Sequence, residues 1–338
     1  MGITIKDVAK AANTSISTVS KVINGSYTIS EGTTERVKNV IEELGYKPNA
    51  RAQTLARKAT KNAAFLTQLQ KNAAFENPHM FEIISGAEHT LAKRGFTLQL
   101  IDCDSTSVCE IAKDIMERKR ADGLLLHASV VNKELTLMMK KYELPHIVIG
   151  MPDFPTSLCW IDNNNQLAGE MAANHLMDQG YTRIAYIGGK EEDKISQNRL
   201  KGCMEAFKEE GLDINQEYLV EGNPTVDDGF LMTKKLLNLS VRPDAIICAN
   251  NYLAFGCVNA IKEAVLQIPD DIAVITFDDY PFTKIMHPMI STVSIDVYDM
   301  GKQAGDMLVK KIKNPKLQIQ TFATLPELLI RNSTVGRK

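Results

Sequence analysis

The amino-terminal part of the sequence contains a run of side chains that suit contacts with DNA bases. Its candidate contact residues are Ile16, Ser17, Thr18, Ser20 and Lys21. An isoleucine can contact a thymine methyl group, a lysine can donate to guanine acceptors, and hydroxyl groups can pair with base edges or phosphate oxygens. The interleaved valines can fill a core, which leaves these side chains outside. The pattern predicts a helix that reads the major groove, with a solvated helix face as the alternative.

A second group of candidate DNA contacts, Asn49, Ala52 and Leu55, lies in the segment that follows. Asn49 can cap a short helix in which Leu55 is the isolated large apolar side chain. A helix this short is unstable alone, so we expect it to fold against a partner. DNA fits, because a leucine wedge in the minor groove, flanked by Arg51 and Arg57, can unstack a base step. The alternative is a linker whose Leu55 packs on its own domain.

Polar side chains also follow apolar, strand-like runs at three places in the longer carboxyl-terminal part. These places are residues 162–165, Asn250-Asn251 and Asp278-Asp279. Ligands of open α/β sheets bind beyond the carboxyl ends of the strands. Two lobes that face each other across a cleft would bring these groups together, so we expect a ligand site there.

The sequence contains no recognisable catalytic or metal-binding constellation. It has no G-x-S-x-G or H-E-x-x-H motif, and Gly188-Gly189-Lys190 lacks the spacing of a phosphate loop. Six histidines are interpreted as isolated surface or core residues: His79, His89, His127, His146, His175 and His287. The six cysteines lack C-x-x-C spacing and are interpreted as small buried residues with free thiols. No cofactor or metal is expected, and an α/β enzyme is disfavoured.

Capping residues and apolar spacing predict three helices before residue 48. Thr4 and Asp7 form a capping-box-like start for a helix over residues 5–12. Ser15 can cap a second helix that ends near Asn24-Gly25, and Ser30 can cap a third that stops at Gly45. Two short helices joined by a tight turn and followed by a third are typical of a helix-turn-helix domain.

The rest of the chain alternates short apolar runs with helical stretches. Predicted strands cover residues 98–102, 123–127, 146–149, 183–187, 245–249 and 273–277. Helical patterns lie between them, as at residues 166–179 and 200–210. This alternation predicts a doubly wound α/β fold.

Charge is divided unevenly along the chain. The 338 residues carry a formal net charge of −2, yet residues 1–61 hold ten Lys and Arg against five Asp and Glu, and the remainder holds 29 against 36. A short basic head on an acidic body indicates an anionic partner, either nucleic acid or a membrane surface. Apolar runs fall short of the roughly 18 residues of a membrane span, and the first residues lack the apolar stretch of a secretory signal. We therefore expect a cytoplasmic protein without membrane contact.

Longer motifs run from the head to the carboxyl end of the chain. The head contains TIKDVAKAANTSISTVSKVING and SEGTTERVKNVIEELGYKPNARAQTLAR, and the body contains HLMDQGYTRIAYIGG, PDAIICANNYLAFG and LPELLIR. In these motifs the chain resembles the lactose-repressor family of bacterial transcription regulators. The chain departs from the family pattern at four places: Lys21 stands where the family usually has Arg, Asn251 where it commonly has Asp, Gly150 where Asp is frequent, and residues 61–70 are more polar than the usual first strand.

The resemblance implies an architecture and a set of partners. It implies an all-α helix-turn-helix head over residues 1–48, a hinge helix over 49–61, a two-lobed periplasmic-binding-protein-like α/β domain for effector binding and dimerisation over 62–331, and a short tail over 332–338. The expected partners are a palindromic operator, a second copy of the chain and a small effector that changes operator affinity. The tail lacks leucine heptads, so a tetramer built by a terminal coiled coil is not expected.

The resemblance also nominates effector contacts. Arg199, Asn250 and Asp278 match positions that hydrogen-bond ligand hydroxyl groups, and this combination of donors and acceptors suits a polyol. Trp160 matches an aromatic contact, for which a core-filling indole is the alternative. Phe75 is a second candidate ring.

The identity of the effector rests on shorter likenesses. The segments AFENP, IVIGMP and IDNNN look like those of the maltose-operon repressor subgroup. Maltose or a related α-glucoside is therefore the expected effector, acting as an inducer. The alternatives are another sugar, a purine or a phosphocarrier-protein corepressor, and, for the whole protein, a sugar-binding transport receptor or a sugar-modifying enzyme.

Overall fold

A computed structural model describes residues 3–23, 28–46, 59–69, 78–212, 215–318 and 320–335. The chain divides into two compact units, residues 1–61 and 62–338. The predicted contacts Asn49, Ala52, Leu55 and Phe75 lie outside the described residues. Among those that are described, every helix is too short or too polar to span a lipid bilayer.

The first unit contains the three predicted helices, α1 Ile5–Ala11, α2 Ile16–Ile23 and α3 Glu31–Glu43. Apolar side chains from all three close a small core, formed by Val8, Ala9, Ala12, Val19, Val22 and Val37. The starts of α1 and α2 are fixed as predicted: Thr4 donates to Asp7 through both its N–H (2.8 Å) and its Oγ1 (2.7 Å), and the N–H of Thr18 donates to Ser15 Oγ at 3.0 Å. Ser30 precedes α3 as predicted, but its Oγ donates to Thr33 Oγ1 at 3.0 Å and does not accept from a backbone N–H.

The second unit has two lobes, each built on one sheet. The strands of the first sheet run in the order β11-β5-β4-β3-β1-β2, and all its pairs are parallel. Its strands are β1 Asn62–Thr67, β2 Thr97–Asp102, β3 Gly123–His127, β4 His146–Ile149, β5 Trp160–Asn163 and β11 Thr321–Thr324. The helices of this lobe are α4 Pro78–Lys93, α5 Val108–Glu117, α6 Lys133–Tyr142 and α12 Val297–Lys313.

The second sheet runs in the order β12-β10-β9-β8-β6-β7, in which only the β10–β12 pair is antiparallel. Its strands are β6 Ile184–Gly189, β7 Leu219–Gly222, β8 Ala245–Cys248, β9 Ala273–Phe277, β10 Ser291–Ser294 and β12 Glu327–Leu329. The helices of this lobe are α7 Asn165–Asp178, α8 Lys194–Glu209, α9 Val226–Leu237, α10 Asn251–Glu263 and α11 Pro281–Ile285. Strands β8 and β9 are buried along their whole length, as expected for apolar runs in a parallel sheet.

The chain passes from one lobe to the other after β5, after β10 and after β11. Two of these crossings are bonded to each other, because the N–H of Asn164 donates to the carbonyl of Thr324 at 3.0 Å. The Oγ1 of Thr324 also donates to the side chain of Asn163. The lobes are thus joined by short, cross-linked connections, and a cleft lies between them.

Residues 332–335, part of the short tail expected from the sequence, pack into the second lobe. Ser333 and Thr334 are fully buried. Thr334 Oγ1 lies 2.7 Å from His175 Nε2 and 2.7 Å from Ser291 Oγ, and the N–H of Val274 donates to the carbonyl of Ser333 at 3.0 Å. Short polar side chains can satisfy backbone groups at the end of a sheet. Apolar patterning does not predict this role, so it places the end of the domain before Ser333 and Thr334.

Two glycines bring helices α7 and α8 into backbone contact. A Cβ atom on Gly169 would lie 1.8 Å from the carbonyl oxygen of Arg199, and one on Gly202 would lie 1.8 Å from that of Gln166. The close approach places Arg199, on α8, against the first turn of α7. Glycine is required at both positions because any side chain would push the helices apart.

We expect Gly202→Ala to lower the free energy of unfolding by about 1–3 kcal/mol, since the added methyl group meets backbone and not a movable side chain. Urea denaturation of the full chain measures the loss. Gly32→Ala is the control, because Gly32 lies in α3 with open space around its Cβ position, and this change should leave stability equal or slightly higher. Equal stability of wild type and Gly202→Ala would contradict the packing described.

Candidate functional site

The predicted base-reading residues lie on one side of α2. Ile16, Ser17 and Lys21 are exposed, whereas Thr18 and Ser20 are half-buried. Val19 and Val22 of the same helix are buried in the core of the first unit. Thr18 Oγ1 lies 2.9 Å from Ser15 Oγ at the helix start. An exposed apolar side chain and an exposed hydroxyl therefore lie at the amino terminus of α2, and a cation lies in its last turn.

A cavity of about 310 Å³ lies between the two lobes of the second unit. The first lobe contributes side chains from the start of α4, the ends of β3 and β5, and α12, including His79, His127 and Asp162. The second lobe contributes the start of α8 and the loops after β8 and β9, including Arg199, Asn250 and Asp278. The three predicted hydrogen-bonding residues thus line one cavity at the carboxyl ends of strands, as expected for this fold class.

Arg199 is held by groups from three elements. Its Nε donates to Asn165 Oδ1 at 3.1 Å, and its Nη1 donates to the carbonyl of Ala249 at 2.6 Å. Its Nη2 lies 3.4 Å from Asp278 Oδ2, and the guanidinium carbon lies 4.3 Å from the centre of the Phe277 ring. Only 3% of Arg199 is exposed, so the charge depends on these partners.

Asp278 joins the two lobes through a second polar contact. Its Oδ2 lies 2.9 Å from Nε2 of His79, which belongs to the first lobe. Burial raises the pKa of the Asp278 carboxyl, but His79 and Arg199 outweigh that effect and hold the pKa below its ordinary value. The residue has a φ of 71°, a conformation in which aspartate is tolerated better than most side chains. The carboxylate is therefore charged and fixed at the cavity wall.

Asn250 caps helix α10, because its Oδ1 accepts from the N–H of Leu253 at 3.0 Å.

Asp162 lies on the opposite side of the cavity, where its carboxylate accepts from the N–H groups of Met151 (2.9 Å) and Asn163 (2.7 Å). Burial raises the pKa of Asp162 above its ordinary value, although these two hydrogen bonds and Arg199 oppose the shift. Burial also lowers the pKa of His127 to about 4, so that ring is neutral near pH 7.

Trp160 does not line the cavity. It lies on β5 two residues before Asp162, and its half-buried indole packs on the apolar cluster that contains Val148 and Leu158. Each residue adds about 3.3 Å along a strand, so the ring sits too far back from the strand end to reach the cavity. The position of Trp160 therefore agrees with the alternative interpretation, in which its indole fills the core of the lobe.

Among the lining residues outside the predicted site are His79, His127 and Tyr280. The interpretation of His79 and His127 as isolated residues is wrong, since both line the cavity. His127 ends β3, so the strand-end rule could have identified it. His79 lies in the first turn of α4 and Tyr280 follows the end of β9 by three residues, and only the fold brings them together: their rings make an edge-to-face contact with centroids 5.1 Å apart.

The polar groups of the cavity wall are arranged for hydrogen bonding. Its acids accept hydrogen bonds, its arginine is already paired, and the described residues contain no group of His, Cys, Asp and Glu placed to hold a metal ion. The predicted free thiols are confirmed, five of them buried and Cys109 half-buried. Burial raises the pKa of Cys203 and Cys248, which keeps those thiols protonated.

Comparison with known proteins matches two family profiles to this chain. Residues 4–49 match "Bacterial regulatory proteins, lacI family", and residues 173–334 match "Periplasmic binding protein-like domain". The PurR transcriptional repressor of Vibrio vulnificus is 31% identical over 334 residues, covering 98% of each chain. The ribose operon repressor of Escherichia coli K12 is 34% identical over 333 residues, covering 98% of this chain and 99% of the relative.

Solved structures give the same result. A complex of the transcriptional regulator CelR with cellobiose is 26% identical with a TM-score of 0.72, covering 98% of this chain and 99% of that chain. The lac repressor dimer bound to operator and the anti-inducer ONPF is 23% identical with a TM-score of 0.79, covering 99% of this chain and all of the other, and supports the fold alone. With relatives above 30% identity along nearly its whole length, the chain belongs to the lacI family of DNA-binding bacterial transcription regulators, which are not enzymes.

Proposed function

We propose that this protein is a homodimeric operator-binding repressor whose DNA affinity is controlled by a small neutral sugar bound between the two lobes. The observation that carries the proposal is the buried Arg199–Asp278 pair at the wall of the interlobe cavity. A carboxylate and a guanidinium fixed side by side suit vicinal hydroxyl groups, which donate and accept at once.

The charge of the cavity favours a neutral effector over a phosphorylated one. Arg199 is the single Lys or Arg among the described lining residues, which also include the carboxylates of Asp162, Asp193 and Asp278. Its charge is already balanced by Asp278 at 3.4 Å. A phosphate group would therefore meet carboxylates without a surplus cation, which is unfavourable in a partly desolvated site.

Apolar side chains complete the site. The same cavity is lined by four apolar side chains that can cover the C–H faces of a sugar ring: Met80, Ile83, Ile149 and Met300. The volume of about 310 Å³ lies at the small end of the range for ligand pockets, which suits a mono- or disaccharide. Maltose or a related α-glucoside stays the leading candidate on the sequence likeness; ribose and purines are the alternatives suggested by the names of the relatives. A phosphocarrier-protein corepressor is a further alternative.

Control of DNA binding follows from unequal affinity for two arrangements of the lobes. Asp278 faces the cavity from the second lobe and His79 from the first. A ligand that takes over hydrogen bonds of Asp278 competes with this interlobe contact, and only such a difference between states can shift the equilibrium. We propose that maltose weakens operator binding and so acts as an inducer.

The DNA-binding side of the proposal rests on α2 of the head and on the segment from Asn49 to Leu55. One three-helix head reads too few base pairs for useful specificity, whereas a twofold dimer reads a palindrome. The proposed base contacts are the exposed residues Ile16, Ser17 and Lys21. Thr18 and Ser20 are proposed to contact the phosphates. Asn49, Ala52 and Leu55 are the proposed minor-groove contacts.

Asp278→Asn should weaken maltose binding about tenfold to a hundredfold, because hydrogen bonds to a charged acceptor are stronger than those to an amide. Isothermal titration calorimetry measures the affinity. Glucose 6-phosphate should show no binding to either form. The matched control is Asp279→Asn: Asp279 pairs with Lys284 at 3.0 Å outside the cavity, so maltose affinity should be kept. Wild-type affinity in Asp278→Asn would remove that carboxylate from the site.

Leu55→Ala should weaken binding to the specific operator while leaving binding to random duplex DNA unchanged. A minor-groove wedge acts only where the DNA is bent, whereas non-specific binding depends on phosphate charge. Fluorescence anisotropy with both duplexes, at one salt concentration, separates the two. Equal losses on both duplexes would favour the linker interpretation of this segment.

Lys21→Ala should relax the base preference at one position of each half-site, by about 1–3 kcal/mol if the lysine reads a guanine. Selection of binding sites from a random pool shows the preference directly. Lys10→Ala, which removes a charge from α1 and not from α2, serves as the control for lost charge alone. An unchanged selected sequence would exclude Lys21 as a base reader.

A further inference from the structure

Two residues in the wall of the interlobe cavity carry buried polar atoms without a partner. Within the described residues, three buried side-chain atoms have no hydrogen-bond partner in the protein: His146 Nε2, Asn251 Oδ1 and Tyr280 Oη. Asn251 and Tyr280 both line the cavity. A buried polar atom left unpaired destabilises a protein, so native structures keep few of them. Two in one small cavity therefore point to a ligand that pairs with them.

The orientation of the Asn251 amide is set by its surroundings. Its Nδ2 donates to the carbonyl of Phe277 at 3.2 Å and to that of Asp278 at 2.9 Å. Carbonyl oxygens only accept, so the nitrogen must face them and Oδ1 must face away. An aspartate, common here in the family, could not donate to either carbonyl. Asn251 Oδ1 is thus an acceptor without a donor in the protein, on a residue of the cavity wall.

The position of the Tyr280 ring is set by its contact with His79. Its ring meets the edge of His79, and it follows Asp278 by two residues after β9. Burial raises the pKa of the Tyr280 hydroxyl, with the Asp278 charge acting in the same direction, so the group stays protonated. The hydroxyl can donate or accept one hydrogen bond with a bound molecule.

We propose that Asn251 and Tyr280 determine effector specificity by binding the ligand directly: an O–H or N–H of the ligand donates to Asn251 Oδ1, and a second polar group of the ligand pairs with Tyr280 Oη. The proposal rests on the interlobe cavity being the effector site. It requires at least two polar groups on the ligand in addition to those that meet Arg199 and Asp278, so a densely hydroxylated or amide-bearing molecule is selected. A site whose buried polar atoms need hydrogen bonds from the ligand rejects analogues that lack the matching group, because those atoms then stay unpaired.

Binding is tested first, with maltose, ribose and hypoxanthine as probes. Each is titrated by calorimetry into full-length wild type, Tyr280→Phe and Asn251→Ala. The probe that binds wild type should bind Tyr280→Phe about tenfold more weakly, since that change removes one oxygen and keeps the ring. Tyr218→Phe is the matched control, because Tyr218 Oη donates to the carbonyl of Val241 at 3.0 Å away from the cavity, and its ligand affinity should equal that of wild type.

Thermal unfolding without ligand gives a second, independent readout. Tyr218→Phe loses a hydrogen bond and should melt at a lower temperature than wild type. Tyr280→Phe loses an unpaired hydroxyl and should melt at the same or a higher temperature. A purely structural Tyr280 would behave like Tyr218 in this experiment.

The outcomes separate this inference from the proposed function. A probe that binds wild type, Tyr280→Phe and Asn251→Ala with equal affinity overturns the inference and leaves the interlobe effector function intact. Binding of none of the three probes to wild type counts against the proposed effector class, and the melting temperatures then decide the inference alone. A fall in melting temperature for Tyr280→Phe as large as that for Tyr218→Phe overturns it.

Discussion

The buried ion pair between Arg199 and Asp278 is the constraint on which the interlobe region depends. Both side chains are about 3% exposed, and a charge taken out of water in this way must be matched by nearby polar groups. The matching groups come from Asn165, from the carbonyl after β8 and from His79. Helices α4, α7 and α8 and two strand ends must therefore be placed together for the pair to be stable, and the glycine contact of α7 with α8 supplies part of that placement.

This constraint also explains how a ligand can act on the relative position of the lobes. Asp278 is the proposed acceptor for ligand hydroxyl groups, and the same carboxylate binds His79 across the cleft. On the proposed function, ligand binding competes with His79 for the lone pairs of this carboxylate. The crossings that connect the lobes are short and hydrogen-bonded to one another, which supports the proposal that a change at the cavity alters the orientation of the lobes.

Much of this structure could be predicted from sequence because the signals are local. Thr4, Asp7 and Ser15 mark helix starts within three residues, and apolar runs such as AVITF mark buried strands. Arg199, Asn250 and Asp278 were found through family likeness together with the strand-end rule. His79 and Tyr280 were missed because they are 201 residues apart and meet only when both lobes are formed. Trp160 was misplaced because its type, and not its distance from the strand end, was considered.

The most direct test of an effector site between the lobes is hydrogen–deuterium exchange measured by mass spectrometry, with and without maltose. The account predicts slower exchange in the segments that carry the cavity wall, at residues 193–199, 250–253 and 277–281, and little change on the outer helices. Slower exchange confined to another surface, or none at ligand concentrations that saturate binding, would contradict it.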